Sequence, residues 1–254
     1  MTEKTKKPII KKQEKELSTA QESPGDFNLN TDEMAQAGLH FGHKTSKIHP
    51  KMGPYLWGVK NGVHIIDLDK TKEKLEEALN FIRQLISDNK VLLMVGTKIQ
   101  HKDLVKNLAK ECDLPFVTER WLGGTFTNFE VIKKRIEYFK ELERKKAGGE
   151  LEKYTKKERS NFDQEIKELG AKFVGIKNLE KMPDAIFVVD LKKDDLALKE
   201  AKIKNIKIIG ISDTNCDPTL ADYPIPANED VISSVKYILD KVEETILKAK
   251  SKIK

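Results

Sequence analysis

A chain of 254 residues that is 38% hydrophobic carries enough apolar material to bury a full core, which excludes a disordered polymer and leaves one large domain or a domain with an appendage. Charged residues make up 35%, and the formal net charge of +6 with a pI of about 9.0 favours a polyanionic partner. No apolar run is long enough to span a membrane, and Cys112 and Cys216 alone cannot form a disulfide framework, which points to a reducing, cytoplasmic compartment.

Residues 1–26 mix lysines with Glu3, Glu14, Glu16, Glu22 and Asp26 and lack both arginine and an apolar signal core. They read as a solvated, mobile extension, residues 1–27, rather than a targeting peptide. Next, "HFGHKTSKIHPKM" (40–52) threads Lys44, Lys47 and Lys51 between His40, His43 and His49. A zinc site wants four convergent ligands at tight spacing, and here the histidines alternate with lysines. His40 and His64 suit packed or hydrogen-bonded roles, His43 and His49 contact with RNA or a protein interface. Between Glu33 and Asp67 there is no acidic residue, while Lys44, Lys47, Lys51 and Lys60 lie among glycines and prolines beside Tyr55 and Trp57. Such an irregular basic loop suits phosphates and stacked bases, or it is a basic loop with no fixed partner.

From residue 63 short apolar runs alternate with amphipathic ones. "VHIIDL" (63–68) reads as a strand, followed by Leu75, Leu79, Ile82 and Ile86 at helical spacing. "VLLMVG" (91–96) has the unbroken apolar character of a parallel strand buried on both faces, and a helix follows over 101–110. "PFV" (115–117), "AIFVVD" (185–190), a helix over 194–204, "IKIIGISD" (206–213) and a terminal helix over 229–250 continue the alternation. The pattern is an α/β domain, residues 28–128 and 177–250, built on an open parallel sheet with helices on both faces.

Residues 129–176 break that pattern. Phe129, Ile132, Ile136 and Phe139, then Phe162, Ile166, Leu169, Phe173 and Ile176, form an a/d seam divided by Gly148 and Gly149. "TKKE" (155–158) suits a capping box. Two helices of about 18 residues, each about 27 Å long, would make a projecting antiparallel hairpin. It is either a solvated helix pair or a docking arm for RNA or protein, with Lys133, Lys134 and Arg135 as its candidate contacts.

Catalytic signals are sparse. Gly96 stands alone where a dinucleotide fold wants three glycines, and no phosphate-binding G-x-x-x-x-G-K-[ST] loop or G-x-S-x-G elbow occurs. Asp190, Asp213 and Asp217 would gather at strand ends, where they could hold a structural magnesium ion or simply cap turns.

The motifs "AGLHFGHKTSKIHPKM", "PYLWGVKNGVHIIDLDKT", "VGTK", "RWLGGTFTNF", "MPDAIFVVD" and "DTNCDP", in this order over residues 31–247, resemble the bacterial form of small ribosomal subunit protein two. The resemblance implies a flavodoxin-like doubly wound domain with a coiled-coil hairpin inserted after "WLGG". It also implies a ribosome-bound, non-enzymatic protein without cofactor or small-molecule substrate, sited where the head of the small subunit meets the body. Its implied partners are small-subunit ribosomal RNA and neighbouring ribosomal proteins, including protein S-one. Candidate RNA contacts are then His43, Lys44, Lys47, His49, Lys51 and Lys60, Arg120 of the "RWLGG" motif, and the hairpin's three cations. The chain departs from the family's usual pattern in its longer N-terminal extension, in "NIKIIG", and in Val174–Gly175–Ile176 where Gly-Gly-Ile is usual.

Overall fold

A computed structural model describes residues 27–253; of the extension expected at residues 1–27, residues 1–26 lie outside the described residues, and Phe27 packs against the core with the Arg83 guanidinium 5.6 Å from its ring centre. Helix α1 (Thr31–Ala37) starts where Asn30 accepts the amide of Asp32 and stops at Gly38, whose φ of 82° is left-handed. Three short strands follow: β1 (Phe41–Lys44), β2 (Leu56–Lys60) and β3 (Val63–Ile66), with a 3₁₀ turn at Pro50–Tyr55. They form an antiparallel sheet in the order β1-β3-β2. Asn61 and Gly62, at φ 52° and 75°, supply the pair of left-handed residues that a tight β2–β3 hairpin requires. Two expectations are corrected here. Within residues 40–60, Phe41–Lys44 and Leu56–Lys60 are strands and Pro50–Tyr55 a 3₁₀ turn, so that the expected irregular stretch is confined to residues 45–49, and "VHII" belongs to this small sheet, not to the parallel one.

The body follows in chain order: α2 (Leu68–Ser87), β4 (Leu92–Val95), α3 (Lys102–Glu111), β5 (Phe116–Val117), α4 (Phe129–Ala147), α5 (Lys156–Phe173), β6 (Ala185–Val188), α6 (Asp195–Ile203), β7 (Lys207–Ser212), β8 (Tyr223–Pro226) and α7 (Ile232–Ile253). Strands β5-β4-β6-β7-β8 are parallel neighbours. Counting these five alone in chain order, the sheet reads 2-1-3-4-5, the flavodoxin-like arrangement. Alternate residues feed opposite cores. Leu92, Met94, Phe187 and Ile209 pack with α2, α3 and α7, whereas Leu93, Val95, Ile186 and Val188 pack with α6 and the bases of α4 and α5. Both faces of the sheet are therefore covered, which is why these strands are apolar without alternation.

Helices α4 and α5 occupy the interruption. Thr155 and Glu158 form the capping box that opens α5. Lys146 meets Asp163 at 2.7 Å, Gly170 faces the ring of Phe139, and Lys177 pairs with Glu143. Ile132, Ile136, Phe139 and Phe173 are buried in the same cluster as the sheet residues, so the apolar seam runs unbroken into the body. At the exit, a Cβ on Gly175 would lie 2.7 Å from Phe116 Cδ2 and closer still to its carbonyl oxygen, whereas Val174 is exposed. The second glycine of the usual triplet is the one that close packing demands.

Candidate functional site

The carboxyl ends of the parallel strands converge on a crevice roofed by β1. Asp190 follows β6, Asp213 follows β7, Glu229 and Asp230 follow β8, and Lys98 follows β4. Strand β1 is seated on Thr214: the amide of His43 donates to its hydroxyl at 2.9 Å, and the amide of His49 to its carbonyl at 2.8 Å. Gly42 permits the approach, because a Cβ there would sit 2.9 Å from Thr214 Oγ1 and nearer to its methyl group. The His43 ring thus enters the crevice, Nδ1 3.2 Å from Asp213 Oδ1 and Nε2 3.4 Å from Asp230 Oδ2. Lys98 Nζ lies 2.6 Å from Asp230 and 3.2 Å from Asp190. A recess of about 480 Å³, lined among others by His43, Lys47, Lys98 and Glu229, opens from this cluster to solvent.

Proton affinities follow from this geometry. The hydrogen bond to Asp213 raises the His43 pKa, with support from Asp230 and Glu229 and against its partial burial. Burial opposes the charge on Lys98, yet the Asp230 hydrogen bond and the charges of Asp190 and Glu229 raise its pKa overall. Burial, reinforced by the charges of Asp190 and Asp213, pushes the Glu229 carboxyl up to about 8. His101 Nε2 donates to the Glu229 carbonyl, 2.8 Å away, and burial lowers its pKa.

Of the three aspartates expected together, the structure unites Asp190 and Asp213 around this crevice and turns Asp217 elsewhere. Asp217 caps the 3₁₀ turn Pro218–Leu220 and accepts from Lys51 at 2.7 Å. Burial opposes its ionisation, but the hydrogen bonds from Lys51 and Thr219 hold its carboxyl down at about 2. His43 and Glu229 take the place given to Asp217. Glu229 was legible in principle as a strand-end acid, but only to a reading that recognised β8.

The basic segment is likewise rearranged. It is free of acids in sequence but not in space, since Lys51 is paired with Asp217, His43 faces Asp213 and Asp230, and His49 Nδ1 accepts the amide of Lys51. Lys44, Lys47 and Lys60 remain exposed and make no ion pair among the described residues. The small sheet exposes Phe41, Val59 and, most of all, Trp57, which is 75% accessible, and the turn after β1 exposes Ile48. Arg120, Lys134 and Arg135 are exposed, and Lys133 is half-buried beside Val174 and Phe116 on another part of the molecule. His40 and His64 lie at the small sheet's inner side, and both ring nitrogens of His64 are buried without a hydrogen bond among the described residues.

Comparison with known proteins gives a concordant result. The family model described as Ribosomal protein S2 matches residues 34–249. The small ribosomal subunit protein uS2 of Dictyoglomus thermophilum is 45% identical over 218 residues, covering 86% of this chain and 89% of the relative. That of Dictyoglomus turgidum is 44% identical over the same length, with the same coverage.

Proposed function

Because the chain belongs to the ribosomal protein S2 family, we propose that it is a structural constituent of the small ribosomal subunit that binds ribosomal RNA through the outer surface of its small antiparallel sheet. The family is non-enzymatic and needs no catalytic cofactor. The crevice agrees with that reading: where a flavodoxin-like fold would receive a phosphate, this chain places Asp190, Asp213, Glu229 and Asp230.

The observation that carries the RNA reading is the set Lys44, Lys47 and Lys60, exposed and without ion pairs among the described residues, in the same segment of chain as the open indole of Trp57. Unpaired cations suit phosphates, and an exposed aromatic face suits an unstacked base. Lys51 and His43 act in this reading as supports, since each is held by a carboxylate. Helices α4 and α5 form a coiled-coil hairpin in the same proposal, supported by the opposed order of their Lys146–Asp163 and Phe139–Gly170 neighbours. The hairpin presents Lys134 and Arg135, with Arg120 and Lys133 near its base, to a second stretch of RNA or to a neighbouring protein. Placement at the junction of head and body, and support for attachment of protein S-one, complete the proposal by family resemblance. Sedimentation of cell lysate tests it: the protein should travel with small subunits in a gradient, and recovery only as free protein would refute ribosomal membership.

A further inference from the structure

We propose that His43, Asp213 and Glu229 hold a divalent transition-metal ion of the zinc class, which pins β1 to the carboxyl end of the parallel sheet. One donor atom from each of the three lies within 4.8 Å of the others. His43 Nδ1 and Asp213 Oδ1 are 3.2 Å apart, and two ligands of a tetrahedral zinc at about 2.0–2.1 Å from the metal would be separated by roughly 3.3 Å. The independent sign of a missing partner is Glu229 Oε2. Glu229 is only 3% exposed, yet this oxygen is buried with no hydrogen bond among the described residues. A buried carboxyl oxygen in that position is costly unless a partner meets it.

The charges divide in a way that leaves room for an ion. Lys98 pairs directly with Asp190 and Asp230; among the described residues the only ion pair to Asp213 comes from His43, and Glu229 has no ion pair, its Oε1 accepting from the Asn215 side-chain amide at 3.4 Å. The ligands are also braced from behind. His43 Nε2 lies 2.9 Å from the Asn215 side-chain amide and 3.4 Å from the Asp230 carboxylate, Asp213 Oδ2 accepts the amide of Glu229 at 3.2 Å, and Asp213 Oδ1 accepts that of Thr214. An imidazole whose far nitrogen is directed to a carboxylate is the usual support of a metal-bound histidine. One nitrogen with two carboxylate oxygens selects zinc or a neighbouring transition ion over magnesium, which prefers an all-oxygen shell.

The test uses the purified full chain, treated with chelator and then titrated with zinc(II), cobalt(II) or magnesium(II). The expected result is one zinc per chain by equilibrium dialysis and a melting temperature raised by roughly 5–10 °C at a hundredfold excess of free zinc over its dissociation constant. Cobalt should give ligand-field bands that disappear in His43→Gln. Glu229→Gln should weaken zinc binding by about tenfold or more, and Asp217→Asn, in the separate Lys51 network, should leave it unchanged. If Glu229→Gln does not fold, His43→Gln at its half-buried position decides the question. Unchanged melting in zinc, equal binding by His43→Gln, or stabilisation by magnesium in preference to zinc would each overturn the assignment.

Discussion

Gly42 and Thr214 are in such close contact that glycine is the only residue that fits: a Cβ at position 42 would lie 3.1 Å from the His64 carbonyl, 2.9 Å from Thr214 Oγ1 and nearer still to the Thr214 methyl. Gly42→Ala should therefore overpack the seat of β1 and cost about 1–3 kcal/mol, read as a lower melting temperature. Thr214→Ser removes the methyl while keeping the hydroxyl that accepts the His43 amide, so the double variant should recover part of the loss. An alanine variant that melts like the wild type would show that β1 shifts freely over the body.

The buried carboxylate of Glu200 organises the loop that leads into α4. It accepts the Trp121 indole at 3.2 Å, the amides of Gly124, Phe126 and Thr127 at 2.8, 2.9 and 3.1 Å, and the Thr127 hydroxyl at 3.2 Å. Burial opposes its charge, but these donors together hold its pKa below the ordinary glutamate value. A carboxyl depressed in the folded state contributes stability that is present above its unfolded pKa and lost as pH falls through the folded one. Glu200→Gln should cost about 1–3 kcal/mol near neutral pH, with the deficit shrinking in acid as the wild-type carboxyl protonates. A deficit independent of pH would assign the loss to shape rather than charge.

Replacing Lys44, Lys47 and Lys60 with Glu should leave the melting temperature nearly unchanged, because exposed substitutions of this kind usually alter stability by about 0.5 kcal/mol or less. Association with small subunits should fail, and the salt dependence of RNA binding should flatten by about 0.7–0.9 log units for each lost phosphate contact. Wild-type occupancy in moderate salt would transfer the RNA contact to Lys134 and Arg135.

The continuity of the α4–α5 seam with the body sets where the helix pair can be cut. Removing residues 140–168 with a short glycine bridge retains Ile132, Ile136, Phe139 and Phe173, and should leave a cooperative melt. Removing residues 131–173 takes all four from the core and should cost several kcal/mol. Equal melts for the two deletions would show that the seam is independent of the sheet.

Strands with helices on both sides announced themselves: "LLMV" and "AIFV" are apolar at every position because neither face meets water. Strand β8 did not, because "YPIP" carries Pro224 and Pro226, which a sheet tolerates only where an amide need not pair. β8 is the sheet's edge, so both fit. The Asn61–Gly62 pair was a legible hairpin signal beside a stretch read for its charge and its aromatic residues. Asp190 and Asp213 could be placed at strand ends from sequence, but the arrival of His43 depends on β1 docking 171 residues away in the chain. No local pattern encodes that pairing.

Helix α7 sets the order in which this molecule can be built. Its Val235, Ile238, Leu239, Val242 and Ile246 complete the core shared by α2 and the sheet, and Lys241 reaches back to the carbonyl of Asn28, 213 residues earlier. During synthesis every strand of the parallel sheet therefore emerges before the helix that covers one face of that sheet. The growing chain must carry an open apolar surface until that late segment arrives, the condition under which partly folded chains misassemble.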